Sequence, residues 1–265
     1  MSGTHGREID VRQRGPLGPA QTVTMSEISS HGVHNERHRF RDRDDAADAL
    51  IAILGAFAAP QTLVLAIPRG AVPMGVRIAR ALGARFDLVL VRKLAAPGHP
   101  EFALGAVDEE GCVTLSPGLD AMRDAAWLTH ELTRQRQVLL ERRRLYRRPP
   151  PDNAIESATV IVVDDGLATG ATMVSALDWV KRRSPALLVA AVPVASSEAL
   201  DWVGQHADRV LCPWRPPFFG AVSAFYRDFP QVDDQQVLQV LESVQPSPAR
   251  TVAGREGQAE RPNRS

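Results

Sequence analysis

The chain has 265 residues, 44% hydrophobic and 23% charged, which is enough for a buried core and excludes a wholly disordered or fibrous protein. Its 31 Lys and Arg balance 31 Asp and Glu, so no net field draws it to nucleic acid or an anionic membrane, and a charged partner must be met locally. Cys112 and Cys212 are the only cysteines, which excludes a disulfide framework and a Cys-x-x-Cys metal knuckle and fits a reducing cytoplasm.

Residues 1–40 mix Gly, Ser, Thr and Arg with His5, His31, His34 and His38, without apolar periodicity, and residues 246–265 have the same character. Both ends are expected to be disordered tails around one domain at 41–245. The histidine spacings match no metal site. Met1 to Asp10 lacks a signal-peptide core, and apolar runs such as Leu187 to Ala195 are shorter than the roughly 20 residues of a membrane span. Neither secretion nor membrane insertion is expected.

Ala46, Leu50, Ile53, Leu54 and Phe57 share one helical face, with Asp42, Asp44 and Asp45 at its start, where the helix dipole favours acids. Thr62 to Ile67 predicts a buried strand ended by Pro68-Arg69-Gly70. A helix is predicted from Pro73 to Leu82, a strand from Phe86 to Val91, and a Pro- and Gly-bearing loop from Ala95 onward. Leu104 to Val107 and Cys112 to Leu115, flanking Asp108 to Gly111, predict a hairpin. A long helix from Leu119 to Arg148 is stopped by three prolines. Then follow strand Thr159 to Val163, helix Ala171 to Arg183, strand Leu187 to Val194, helix Ser197 to Gln205 and strand Arg209 to Cys212. Alternating helices and fully apolar strands predict an α/β fold, a parallel sheet with helices on both faces. Ligands in such folds sit at the carboxyl ends of the strands.

The most informative stretch is Val160-Ile161-Val162-Val163-Asp164-Asp165-Gly166-Leu167-Ala168-Thr169-Gly170-Ala171-Thr172. A buried strand delivers two adjacent carboxylates to its end, which is costly unless a cation or hydroxyls meet them. The turn Ala168 to Thr172 can fold its amides around an anion at the helix N-terminus, with Thr169 and Thr172 adding hydroxyls. Acids beside a phosphate cradle suit a phosphorylated sugar.

This segment resembles the phosphoribosyl-pyrophosphate signature of the type I phosphoribosyltransferases: four apolar residues, two acids, then Thr-Gly-x-Thr. The resemblance implies their fold, with a small hood beside the core, and extends from Asp42 to Gln245. It places Ile67-Pro68-Arg69-Gly70-Ala71 as the pyrophosphate loop, Arg92-Lys93 as the basic residue after the next strand, and Ala95 to Leu104 as a flexible loop closing over the site. Asp164 and Asp165 would hold the ribose hydroxyls, with metal contacts made through water or substrate. Arg69, Lys93 and Mg²⁺ would neutralise pyrophosphate. Ala168, Thr169, Gly170, Ala171 and Thr172 would hold the 5′-phosphate, with Gly170 close to it, so that a valine there would block the site by bulk without unfolding the protein. The implied reaction transfers ribose 5-phosphate between phosphoribosyl pyrophosphate and a nucleobase or similar nitrogen acceptor, in purine or pyrimidine salvage.

Hypoxanthine-guanine enzymes carry an Asp where this chain has Ala168, so a 6-oxopurine acceptor is not implied. Glu101, or else His99, is the candidate loop acid/base. The hood would come from the N-terminal helix or from Arg215 to Phe229, where Trp214, Phe218, Phe219 and Tyr226 could stack on a base or pack in a core. A homo-oligomer, a dimer, is expected, in the cytoplasm. Arg134 to Arg148 holds seven arginines against Glu141. A stripe of this kind supports an alternative, a non-catalytic regulator that senses phosphoribosyl pyrophosphate and binds nucleic acid. A solvated face or a dimer contact explains it more simply, and nucleic acid is not the expected partner. A receiver-like phospho-acceptor is disfavoured because the Thr-Gly-Ala-Thr loop would crowd the acceptor.

Overall fold

Consecutive apolar residues alternate faces along a strand, so a strand apolar at every position must be covered on both sides. In the computed structural model, which describes residues 21–23, 39–96, 99–119, 126–146 and 151–244, with backbone alone at 21–23, 96, 99–103, 126 and 153, this holds for every core strand. The strands are β1 (Gln21–Val23), β2 (Leu63–Ala66), β3 (Arg85–Leu88), β4 (Val91–Ala96), β5 (His99–Asp108), β6 (Val113–Leu115), β7 (Thr159–Val163), β8 (Leu187–Ala191) and β9 (Arg209–Leu211). The helices are α1 (Arg43–Leu54), α2 (Val72–Leu82), α3 (Ala126–Leu145), α4 (Asp152–Ile155), α5 (Ala171–Lys181), α6 (Ser197–Val203) and α7 (Asp234–Glu242).

Six strands form one parallel sheet in the order β1-β9-β8-β7-β2-β3. Val64, Ala66, Ile161 and Val163 face a core shared with α1 and α2, while Leu63, Leu65, Val160 and Val162 face one built on α5 and α6. Fully burying a side chain such as Ile161 contributes about 1.5–3 kcal/mol, so each central strand is fixed from both faces. A second, antiparallel sheet, β4-β5-β6, lies apart from the first, and α3 packs against β4 and β5.

The α/β class with a parallel sheet is as expected, and so is the hairpin, which pairs Gly105 with Leu115. Three expectations differ. The segment Phe86 to Val91 is two strands in two sheets: β3 ends at Leu88, and Val89 and Leu90 are a buried link to β4. All six residues of the segment are buried, Asp87 included. Ala95 to Leu104 is the end of a β-hairpin, not an irregular loop, with Ala95 opposite Ala103, Ala96 opposite His99, and register shifts on either side of Ala95. Pro97 and Gly98 lie outside the described residues. At the N-terminus, Gln21–Val23 adds an edge strand beside β9, and Phe40 is buried, its amide donating to the Phe225 carbonyl. Residues 1–20, 24–38 and 245–265 lie outside the described residues, as do positions 120–125 and 147–148 of the expected long helix.

Candidate active site

Strand order reverses between β2 and β7: β3 follows β2 on one side, and β8 and β9 follow β7 on the other. Such a switch point opens a crevice at the carboxyl ends of the two strands. Ala66 and Val163 stand side by side there, so the loops 67–71 and 164–170 face one another. The peptide between Pro68 and Arg69 is cis.

Asp164 sits at the strand end, where burial first and the neighbouring Asp165 second push its carboxyl well above the ordinary carboxylate range. Its Oδ1 accepts from the Asp165 amide at 2.9 Å. Asp164, Thr172 and Lys93 line one chamber of about 320 Å³ beside Pro68, Arg69 and Gly70. Asp165 lines an adjoining chamber of about 330 Å³ with Arg43, Gln231 and Val232.

Asp165 is tied down by the flanking elements. Arg43, in the first turn of α1, donates from Nε at 3.1 Å and Nη2 at 2.9 Å to the same Oδ2. The Arg43 guanidinium also lies 3.8 Å from the centre of the Phe229 ring and donates to the Pro230 carbonyl at 2.7 Å. Tyr226 donates its hydroxyl to the Asp165 carbonyl at 2.7 Å. Burial raises the Asp165 carboxyl and Arg43 opposes that rise. Gly70 completes the lock: a Cβ there would lie 2.2 Å from Asp165 Oδ2, so only glycine lets the two loops approach this closely.

The loop after the acids leads into α5 through Gly170, at φ 83°, and no side chain caps the α5 amides. They are open to an anion. A Cβ at Gly170 would point at Val203 Cγ2, 3.3 Å away, and at Ala199 in α6. Ser196 holds the loop from behind: its hydroxyl donates to the Ala168 carbonyl at 2.8 Å and accepts from the Ala199 amide at 3.1 Å, capping α6. Ala168 and Thr169 form one wall of a cleft of about 810 Å³ whose other walls include Trp202, Phe218 and Phe219. Phe218 is 88% exposed at its rim. Trp214 and Tyr226 are not in this cleft. Trp214 packs edge-on against Phe225 at 4.9 Å, and Tyr226 is buried against Phe40.

Cations gather around the Pro68–Gly70 loop. Arg69, Arg92 and Arg142 border both chambers. Arg69 stands 3.6 Å from Asp234, and Arg92 donates to Gln135 at 2.9 Å. Burial draws the Arg92 guanidinium below its ordinary value, and the charges of Arg142, Arg134 and Arg69 draw it further.

Of the predicted site residues, Pro68, Arg69, Gly70, Lys93, Asp164, Asp165 and Thr172 border the two chambers, and Ala168 and Thr169 border the cleft. Ala71, Gly170 and Ala171 are buried at the two helix starts. His99 and Glu101 lie on β5, where only the backbone is described. Arg43, Ser196, Trp202 and the placement of Arg142 were not anticipated. Arg43 had a signal: a cation in a first turn opposes the helix dipole and calls for an acid partner. Among the described residues, one trio could gather round a metal, Asp108, Glu110 and Cys112. It lies outside this site, and Arg182 and Arg183 already pair with its acids.

A parallel sheet with two acids at its switch point, an open helix start and a facing cationic loop forms a crevice of the kind in which parallel α/β folds hold ligands. The chain belongs to the phosphoribosyl transferase domain family, whose model matches residues 42–230. It is 34% identical over 207 residues to a protein of Mycobacterium tuberculosis, in strains CDC 1551 and H37Rv, that is provisionally named a phosphoribosyl transferase. That match takes in 77% of this chain and 46% of the relative, so the chain spans about half the length of the curated relatives it matches. The crystal structure of TT1426 from Thermus thermophilus is similar over 77% of this chain and 98% of its own, with 44% identity and a TM-score of 0.65. No helix among the described residues is long and apolar enough to cross a membrane.

Proposed function

We propose that the protein is a phosphoribosyltransferase, moving ribose 5-phosphate between phosphoribosyl pyrophosphate and a nucleobase or similar nitrogen acceptor. The observation that carries this reading is the pairing, across the β2–β7 switch point, of Asp164 with the cationic loop at Arg69. Cleavage of the bond to pyrophosphate leaves positive charge on the sugar and negative charge on the leaving group, and one chamber here offers a partner for each. Asp164 would hold ribose hydroxyls and favour the cationic sugar. Asp165, engaged by Arg43, would keep the strand end and the pyrophosphate loop in register while offering what remains of its carboxylate. Arg69 and Lys93 would meet pyrophosphate, and the amides of 168–172 with the Thr169 and Thr172 hydroxyls would hold the 5′-phosphate.

The chamber fits Mg²⁺ brought in on substrate oxygens, because Asp164 and Thr172 supply oxygen donors and Asp165 already has a cation. When bound, the ion would offset pyrophosphate charge. The cleft beside Ala168 would take the acceptor between Phe218, Phe219 and Trp202, and Glu101, or else His99, would move its proton. The free thiols of Cys112 and Cys212 support a cytoplasmic setting, and salvage of bases is the fitting role. A homodimer belongs to the same reading and is tested by sedimentation.

The regulator reading draws less support. Arg134 pairs with Glu131, and Arg143 is buried against Glu109, so the stripe is not a free cationic face. Pyrophosphate release is the test, with phosphoribosyl pyrophosphate, Mg²⁺ and each common nucleobase in turn. Base-dependent release supports the transferase, with Glu101→Gln lowering turnover more than affinity. No release with any base, alongside steeply salt-dependent binding of RNA or DNA, would overturn it.

A further inference from the structure

Helix α3 stands outside the strand-loop-helix segment that carries the phosphoribosyl reading, and its arginines have different fates. Arg134 and Arg143 pair with acids, and Arg136 and Arg144 are exposed. Arg142 is partly buried and borders both chambers of the site. It has no ion-pair partner among the described residues.

Two turns earlier on the same helical face, Gln135 accepts from Arg92 Nε at 2.9 Å and donates to Glu131 at 2.7 Å. The helix therefore orients Arg92 and delivers Arg142 to the same walls. With Arg69 this puts three guanidiniums around the Pro68–Gly70 loop, where the nearest acid to Arg69 is Asp234, itself accepting the Tyr146 hydroxyl. Like charges converging on one concave site repel unless a multiply charged anion lies between them. Burial first, and then the charges of Arg142, Arg134 and Arg69, draw the Arg92 guanidinium below its ordinary value. Arg142 shares one chamber with Thr172 but neither chamber with residues 168–171, whereas Pro68, Arg69 and Gly70 border both chambers with it, so the anion of that loop is the fitting one.

We propose that Arg142 is a pyrophosphate-binding residue: helix α3 carries it to the loop at Arg69, where it closes a three-guanidinium cradle around the leaving group. The proposal rests on the phosphoribosyl reading. Planar guanidinium forks suit phosphate oxygens, so the contact should depend on arginine and not on charge alone.

Calorimetric titration of the full chain with inorganic pyrophosphate, and separately with ribose 5-phosphate, in buffer containing Mg²⁺ tests it. Arg142→Gln should weaken pyrophosphate by about 10- to 100-fold, the loss expected of a charge-assisted contact, and leave ribose 5-phosphate within about twofold. Arg142→Lys should lose an intermediate amount, and Arg144→Gln on the exposed face should change neither ligand. Equal loss of both ligands would mark a structural role and overturn the proposal, as would unchanged pyrophosphate affinity. If Arg142→Gln does not fold, Arg142→Lys decides alone, and a wild-type response to pyrophosphate overturns the assignment. Wild-type protein that binds neither ligand would instead overturn the phosphoribosyl reading beneath it.

Discussion

Removing Arg43 should cost the fold more than removing an ordinary surface arginine, and the cost should depend on pH. Its side chain is 11% exposed and its partner Asp165 is 17% exposed, with two contacts at 2.9 and 3.1 Å. Breaking a buried pair from one side costs about 3–5 kcal/mol, because the remaining charge stays desolvated. Asp165 can relieve part of this by taking up a proton, so the lower end of the range applies near pH 6. For a domain of this size each kcal/mol is worth about 2–4 °C, which sets the fall in melting temperature for Arg43→Ala at about 6–12 °C there.

The pH dependence has a definite sign. Burial raises the Asp165 carboxyl above its unfolded value, and Arg43 holds the rise in check. A carboxyl raised in the folded state contributes stability that is present below the unfolded value, about 3.9, and is lost as pH climbs through the folded value. Without Arg43 the folded value climbs further, so the loss extends to higher pH. Melting temperatures of wild type and Arg43→Ala should therefore diverge from pH 6 to pH 8. Adding Asp165→Asn to Arg43→Ala removes the stranded charge and should flatten that divergence. A gap under about 2 °C, or one that does not change with pH while Asp165 is present, would refute the reasoning.

Three further outcomes are expected. Gly70→Ala sets a methyl 2.2 Å from the present position of Asp165 Oδ2, so one loop must shift; phosphoribosyl pyrophosphate affinity should fall at least tenfold, read by calorimetry. Gly170→Val forces a β-branched residue into left-handed backbone and against Val203, so it should lower the melting temperature by about 2–8 °C, for about 1–2 kcal/mol of strain, as well as weaken ligand binding. The Cys212 thiol, pushed up to about 12 by burial, should ignore a thiol reagent at pH 8 until the protein unfolds, while exposed Cys112 reacts at once; absorbance of the released thiolate counts both phases.

How far the sequence discloses this molecule depends on whether a feature is local. The strand Val160 to Val163, its two acids and the start of the following helix lie within thirteen consecutive residues, and burial on both faces leaves such a run few alternatives, so this part of the fold and site was legible. The split of Phe86 to Val91 between two sheets was not, because a buried link and a buried strand share one composition. Ala95 to Leu104 misled for the opposite reason: Pro100 is a loop residue by propensity, yet it lies on β5, where the pairing of the two strands overrides it.

The site's charges show the same division. The run Arg134 to Arg148 looks like one cationic surface when counted along the chain, but successive helical residues are about 100° apart, so its members point to different places. Glu109 takes up Arg143, Glu131 takes up Arg134, and among the described residues of the run only Arg142 borders the chambers. Likewise the cost of two adjacent acids was evident at once, whereas the cation that meets one of them lies 122 positions earlier in the chain. What the sequence did signal was that a partner had to exist, since neither a buried pair of carboxylates nor an arginine in an acidic first turn is stable alone. The fold satisfies both requirements with a single contact, and that contact joins the N-terminal helix to the strand end that carries the site.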